Sequence, residues 1–326
     1  MEYARLGSSG LTVSRLALGC MSYGDPNLGT HPWSLPEKEG ARFIAEALDL
    51  GVNFFDTANI YSLGTSERFL GAAIAREARR EDVVIATKVY EAMHDGPLAK
   101  GLSRQAIMRE LDASLRRLGT DYVDLYIIHR WDYETPVEET MQALHDVVRA
   151  GKVRYIGASS MHCWQFVKAQ YVADLHGWTR FVSMQNHYNL INREEEREML
   201  PYCAEEGVGV TPWSPLARGK LARDWDARSA RTEGDPIQER FYGPTERADR
   251  AVARAVADVA ERRGVPPAQI ALAWLLQQPA VTAPVIGATK SGHLRDAVAA
   301  LDVVLDEGEV AELTKPYVPH SVVEYV

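Results

Sequence analysis

The chain has 326 residues, 46% of them hydrophobic, a formal net charge of −9 and no apolar tract long enough to cross a bilayer. It can bury a large core, and its acid excess leaves no basic footprint for bulk nucleic acid, although a local basic pocket for a phosphate is compatible with it. The first twenty residues, MEYARLGSSGLTVSRLALGC, alternate polar and apolar where a secretion signal would be continuously apolar, and Cys20, Cys163 and Cys203 lack CxxC or Cys/His spacing. A disulfide framework and a metal site are therefore unsupported, and a reducing, cytoplasmic location is expected.

Residues 1–15, with the turn GSSG at Gly7 to Gly10, read as a small hairpin that could plug one mouth of a barrel. From Leu16 onward, apolar strand-like runs alternate with helical patterns. LALG precedes Glu37 to Leu50, VNFFD precedes Ser66 to Ala78, VVIATK precedes Ser103 to Leu118, and VDLYIIH precedes Val137 to Ala150. YIGAS, FVSMQ, VGVTPW and APVIG then precede His162 to Leu175, Glu194 to Glu206, Arg247 to Arg263 and Gly292 to Leu301. Eight such units, with strands apolar on both faces, predict an α/β fold: a closed (β/α)8 TIM barrel of about 250 residues plus extras, with an open doubly wound sheet as the alternative. The extras are the N-terminal hairpin, an Arg- and Asp-rich stretch between Leu216 and Thr245 long enough to be a lid, and a further C-terminal helical segment at residues 270–279. With no interdomain linker or low-complexity tail, residues 1–326 are expected to form one domain.

Three of the strands end on an ionisable group: FFD at Asp56, with Tyr61 just beyond, VVIATK at Lys88 and VDLYIIH at His129. In a barrel of this kind the C-terminal strand edge is where catalytic groups gather. A phenol with an ordinary pKa near ~10 is a poor acid at neutral pH, and a nearby ammonium is expected to lower that value. Asp56 would hold Lys88 charged, while His129 and Tyr61 would together polarise a carbonyl oxygen. Each group alone has a plainer reading: a turn carboxylate, a packing tyrosine, a surface lysine, a core histidine. Four together on three successive strand ends favour the chemical reading.

At these residues the chain resembles the aldo-keto reductase family over essentially its whole length, through FFDTANIY, ATK, YIIHR, KVRYIGASS, MQNHYNL, WSPLARG and PVIGATKSGHLRD. The resemblance implies NADPH, less often NADH, as hydride donor to an aldehyde or ketone, with Tyr61 as general acid, Lys88 and Asp56 tuning it and His129 orienting the carbonyl. There is no GxGxxG after the first strand, so any dinucleotide is held otherwise than in a Rossmann fold. By resemblance, Ser159 and Gln185 bind the nicotinamide amide, Trp213 stacks on its ring, and Ser214, Leu216 and Arg218 cover the pyrophosphate. Gly287, Thr289, Lys290 and His293 would form an anion site suited to a ribose 2′-phosphate, with Asp296 at an acidic position of the family and Cys20 and Met21 ending the first strand. Ser160 and Ala297 stand where Asn is common in the family.

Tyr23, Trp33, Trp131 and Tyr133 fall on loops at the catalytic mouth and are expected to wall a substrate pocket, for which aryl aldehydes and sugar phosphates are both open. Two other functions share these residues: a redox-sensing cofactor-binding module like the potassium-channel beta subunits, and a Schiff-base aldolase using Lys88. The partners expected are a small-molecule carbonyl compound and a homo-oligomeric copy, without nucleic acid or membrane.

Overall fold

A computed structural model describes residues 1–29, 31–227 and 240–322. Strands β1 (Tyr3–Arg5) and β2 (Thr12–Ser14) pair antiparallel, giving the expected hairpin. Eight strands follow: β3 (Ala17–Gly19), β4 (Phe54–Asp56), β5 (Val84–Val89), β6 (Val123–Ile128), β7 (Val153–Ser159), β8 (Phe181–Gln185), β9 (Gly209–Val210) and β10 (Val285–Ile286). They pair in parallel in the order β10-β3-β4-β5-β6-β7-β8-β9. The ring closes where the Thr282 amide donates to the Val210 carbonyl (2.8 Å) and the Val285 amide to that of Pro212 (2.8 Å). Closure removes the sheet edges, and the architecture is the (β/α)8 barrel.

Side-chain alternation along the strands divides two apolar layers. Phe54, Val84, Ala86, Leu125 and Ile127 point into the barrel, where Leu6 and Val13 of the hairpin join them. The hairpin therefore plugs the interior, each fully buried apolar side chain there stabilising the fold by roughly 1.5–3 kcal/mol. Phe55, Ile85, Tyr126 and Ile128 point outward and pack under the helices. Continuing the inward alternation by one step from Phe54, Ala86 and Ile127 gives Asp56, Lys88 and His129. The reacting groups thus form the next layer above the apolar plug.

The surrounding helices include Glu37–Asp49, Thr65–Glu77, Arg104–Leu118, Val137–Arg149, Cys163–His176, Glu246–Arg263 and Pro267–Leu276, close to the predicted spans. Arg104–Leu118 shows why its boundaries are sharp: the Ser103 side chain caps the Ala106 amide, and Gly119 ends the helix in the left-handed region at φ 66°. Gly71 allows that helix to touch Thr65–Glu77, since a Cβ there would lie 2.1 Å from the Leu118 carbonyl oxygen.

Two elements differ from expectation. The span Glu194 to Glu206 is split into a 3-10 turn, Glu194–Glu196, and a helix, Met199–Glu205, because Pro201 lacks the amide that a continuous helix would bond to the Arg197 carbonyl and is accommodated in a helix's first turn. A further helix, Glu307–Thr314, follows the last predicted one and is started by a reciprocal cap between Asp306 and Glu309. Of the stretch expected as a lid, residues 228–239 lie outside those described. Among the described residues no helix is long and apolar enough to cross a membrane.

Candidate active site

Lys88 is fully buried at the end of β5, and its ammonium is satisfied by three oxygens. Nζ lies 2.5 Å from Asp56 Oδ1, 2.8 Å from the Thr57 carbonyl and 3.4 Å from the Tyr61 hydroxyl. Asp56, itself buried, has its second oxygen filled by the Gln185 side-chain amide at 2.9 Å. A buried charge pair is tolerable only when its remaining hydrogen-bonding capacity is used in this way.

Tyr61 is placed by a tight reversal of the chain. Ser62, Leu63 and Gly64 have φ of 46°, 49° and 88°, three successive residues in the left-handed region. Non-glycine residues there cost about 1–2 kcal/mol each, so the turn needs outside support. Buried Glu67 supplies it, accepting from Thr87 Oγ1 at 2.5 Å and from Arg117 Nε at 2.5 Å. Ser66 adds a bond to the Cys20 carbonyl at 2.8 Å and lies 2.9 Å from Thr57 Oγ1. The result sets the Tyr61 ring with Lys88 Nζ 5.0 Å from its centroid and His129 edge-on at 5.8 Å. Neither Glu67 nor Arg117 is marked in the sequence by any motif.

Burial dominates the electrostatics. It opposes the Lys88 charge, but Asp56 and Tyr61 outweigh it and hold the ammonium above its ordinary pKa. It also pushes the Tyr61 phenol up; the Lys88 charge pulls the other way without prevailing, and Asp56 adds to the rise. The expectation that Lys88 brings this phenol down toward neutrality is therefore corrected: the ammonium moderates a rise. Burial, then Lys88 and Arg130, hold His129 well below the usual imidazole range. At neutral pH the site thus presents a protonated phenol, a neutral imidazole and an ammonium to whatever oxygen comes between them. Such a set can donate hydrogen bonds and receive developing negative charge.

The remaining predicted residues occupy the same rim in varied ways. Cys20 and Met21 lie in the turn Cys20–Ser22 directly after β3, with Cys20 buried. Ser159 Oγ donates to the Gln185 carbonyl at 2.9 Å. Gln185, predicted only as an amide binder, also orients Asp56. Trp213 stacks one face on His187, centroids 4.1 Å apart and planes within 8°, and donates from Nε1 to Ser160 at 3.0 Å. Ser160 sits at φ 49°, a left-handed position where Asn is favoured among non-glycine residues; here serine takes it and holds the indole.

Ser214, Ala217 and Arg218 are also left-handed, so the loop containing Leu216 is sharply folded, and the Ser214 carbonyl is tied down by Asn189 Nδ2 at 2.9 Å. After β10, a Cβ built on Gly287 meets nothing within 4 Å, leaving open space beside the Thr289–Lys290 turn. The His293 imidazole, at the start of the helix His293–Ala299, is held low by burial, Lys290 and Arg223, with Asp296 opposing. Arg223, from the loop after β9, therefore belongs to this cationic group, which also contains Lys290. Ala297 is buried.

The four aromatic residues expected at the substrate pocket separate, and Tyr133 is exposed. Tyr23 is fully buried, its hydroxyl donating to the Ala288 carbonyl at 2.8 Å and its ring parallel to Phe43, so it braces the β3 and β10 loops and is withdrawn from any pocket wall. Trp33 packs on His31 (4.7 Å), whose ring is in turn 6.5 Å from Tyr61, placing this pair beside the phenol. Trp131 meets Trp164 edge-on at 6.2 Å and lines a small crevice with Leu102, Met141 and Ala169, under the helical layer.

A sequence model of the aldo/keto reductase family matches residues 15–317. The chain belongs to the aldo-keto reductase family. It is 44% identical to versiconal hemiacetal acetate reductase of Aspergillus parasiticus over 99% of its own length and 98% of that protein. It is 43% identical to the aldo-keto reductase AMT2 of Alternaria alternata (97% and 91%) and 43% identical to the aldo-keto reductase dtxS3 of Metarhizium robertsii (99% and 92%). The likeness runs over nearly the whole of each chain. As an aldo-keto reductase the chain is an oxidoreductase of a family that uses nicotinamide cofactors on small-molecule carbonyl compounds.

Proposed function

We propose that this aldo-keto reductase reduces an aldehyde or ketone with NADPH, Tyr61 giving its proton to the carbonyl oxygen. The observation that carries this reading is the buried Asp56–Lys88–Tyr61 chain with His129 against the same phenol. The chemistry that NADPH supplies is hydride. The chain's own residues do the rest: the Tyr61 hydroxyl and the His129 imidazole hydrogen-bond the carbonyl oxygen, and the phenol proton passes to that oxygen as it gains charge. Lys88 then faces the resulting phenolate, and its ammonium is the group that stabilises it.

For the cofactor, the amide-binding pair would be Ser159 and Gln185, the face of Trp213 turned away from His187 would cover the ring, and the Ser214–Arg218 loop would lie on the pyrophosphate. Lys290 and Arg223 form a cationic pair at the far end, with the neutral His293 imidazole beside them, which favours a 2′-phosphorylated nucleotide. For the substrate, Trp33 and His31 beside Tyr61 favour an aromatic aldehyde. The Aspergillus relative is named for a hemiacetal, itself a masked carbonyl, which agrees with a carbonyl substrate. The aldolase reading is disfavoured because Schiff-base chemistry needs a neutral amine, whereas Asp56 keeps Lys88 charged.

The test follows NADPH absorbance over aryl aldehydes, sugars and ketosteroids, with NADH as the comparison. Turnover with aryl aldehydes and a preference for NADPH are expected. NADPH binding without turnover of any carbonyl compound would replace the enzyme with a redox-sensing module, and borohydride trapping at Lys88 would replace it with an aldolase.

A further inference from the structure

His187 and Trp213 are partners across two neighbouring strand ends. The Trp213 amide donates to the Asn186 carbonyl at 2.8 Å and the two residues pair in parallel, so their side chains rise from one face of the rim, two residues beyond Gln185 on the same strand. The imidazole is buried behind the indole, and both of its nitrogens are engaged: Nδ1 lies 2.6 Å from Asn192 Nδ2, and Nε2 lies 2.7 Å from the Tyr242 hydroxyl. With the Asn192 amide donating, Nδ1 accepts, and Nε2 carries the hydrogen that the Tyr242 oxygen accepts. Asn189 Nδ2, 3.4 Å from Nε2, is a donor and does not replace that acceptor. Phe241 completes the group. Its centroid lies 5.3 Å from His187 and 5.7 Å from Trp213, so it stands at the edge of their stack and not over the indole face turned away from His187. Its own ring takes the Arg218 guanidinium, 5.8 Å from the centroid. The chain thus leaves β9 at Trp213 and returns to the same stack at Phe241 and Tyr242, just ahead of the helix Glu246–Arg263.

We propose that His187, Phe241 and Tyr242 are positioning residues for the cofactor. His187, pinned by Tyr242, sets the indole plane on which the nicotinamide ring lies, and Phe241 joins that plane to Arg218 on the pyrophosphate. The assignment rests on the cofactor reading of Trp213 and Arg218 given above, and each of the three acts through one of those two side chains. An indole held only by its Nε1 bond to Ser160, 3.0 Å long, can turn about that bond. A second aromatic plane stacked behind it, parallel within 8°, removes that freedom. Order built in before binding is order that the cofactor does not have to impose, and affinity is gained by the difference. The two sides of the group divide the task. Tyr242 serves the ring side, through His187 and the indole. Phe241 serves both sides, because it meets Trp213 and Arg218 together.

The experiment is calorimetric titration of the full chain with two probes: NADPH, and 2′-phospho-ADP-ribose, which lacks the nicotinamide. Tyr242→Phe loses one hydroxyl and keeps its ring. It is expected to weaken NADPH about 10-fold, the cost of leaving the buried His187 Nε2 without its acceptor, and to leave the nicotinamide-free probe within about 2-fold. Phe241→Leu is expected to weaken both probes. Near-ultraviolet circular dichroism of the protein without cofactor, taken as the difference from Trp213→Phe, should show a smaller Trp213 signal in Tyr242→Phe than in the wild type. In a Trp213→Leu background, Tyr242→Phe should weaken NADPH no further, because the hydroxyl acts only through the indole. Equal loss of both probes in Tyr242→Phe would mean a general loosening of the fold and overturns the proposal. So does NADPH affinity unchanged in Tyr242→Phe with the wild type binding both probes, which leaves the cofactor reading standing. A wild type that binds neither probe overturns the cofactor reading, and this proposal with it.

Discussion

Lys88→Met separates the chemical role of the ammonium from its structural one. The change removes a charge 3.4 Å from the Tyr61 oxygen. At an effective dielectric constant of about 20 that charge is worth roughly 5 kcal/mol to a phenolate, and the Asp56 carboxylate beside it cancels a large share, leaving about 2–3 kcal/mol. At about 1.4 kcal/mol per tenfold, turnover should fall about 100-fold with KM nearly unchanged, because the interaction is made mainly as negative charge develops. The substitution also strands the Asp56 carboxylate, 2% exposed, which should cost about 3–5 kcal/mol of stability. Adding Asp56→Asn removes that stranded charge. The double variant is therefore expected to regain stability in urea denaturation while remaining as slow as Lys88→Met in the aldehyde assay. A single variant with wild-type turnover, or a double variant that recovers rate along with stability, would refute the reasoning.

Three further outcomes follow from the same geometry. His129 is held neutral in the fold and takes up a proton when unfolded, so its folded pKa lies below its unfolded one; its contribution is full above about pH 6.5 and is lost as pH falls toward the depressed value. Urea midpoints should drop from about pH 7 to about pH 5, and His129→Gln should flatten that drop; an unchanged slope contradicts the assignment. Gly71→Ala forces a methyl onto the Leu118 carbonyl and should cost about 1–3 kcal/mol or more in thermal unfolding, whereas a neutral result would mean the two helices can separate freely. Ser160→Asn better suits the left-handed backbone but gives up the hydroxyl that holds Trp213, so it should leave stability within about 1 kcal/mol and alter NADPH affinity in a fluorescence titration.

Much of the site is legible in the strands because three of them end where an apolar run meets an ionisable group. Reading two residues on from Phe54, Ala86 and Ile127 gives Asp56, Lys88 and His129 without coordinates. The hairpin is legible as well, since GSSG separates two short strand-like runs. The supports of the Tyr61 turn are not, because Glu67 and Arg117 lie 50 residues apart and look like ordinary surface charges on two amphipathic helices. Nor is the Gln185–Asp56 bond, which spans 129 residues. Tyr23 follows a strand end just as Tyr61 does, and only packing on Phe43 and the Ala288 carbonyl decides that it belongs to the core. The direction of the Tyr61 shift also depends on packing: proximity to Lys88 can be read from the strand ends, but the desolvation that outweighs it is a property of everything around the ring. The helix Glu307–Thr314 carries its own start signal in Asp306 and Glu309, a capping box that needs no tertiary context.

The most direct measurement is the turnover of Tyr61→Phe with an aryl aldehyde, taken beside its NADPH affinity. The account predicts a rate lower by about 100-fold or more with affinity nearly intact, since the hydroxyl is lost and the ring over Lys88 is kept. A variant that turns over at the wild-type rate would show that the proton comes from elsewhere.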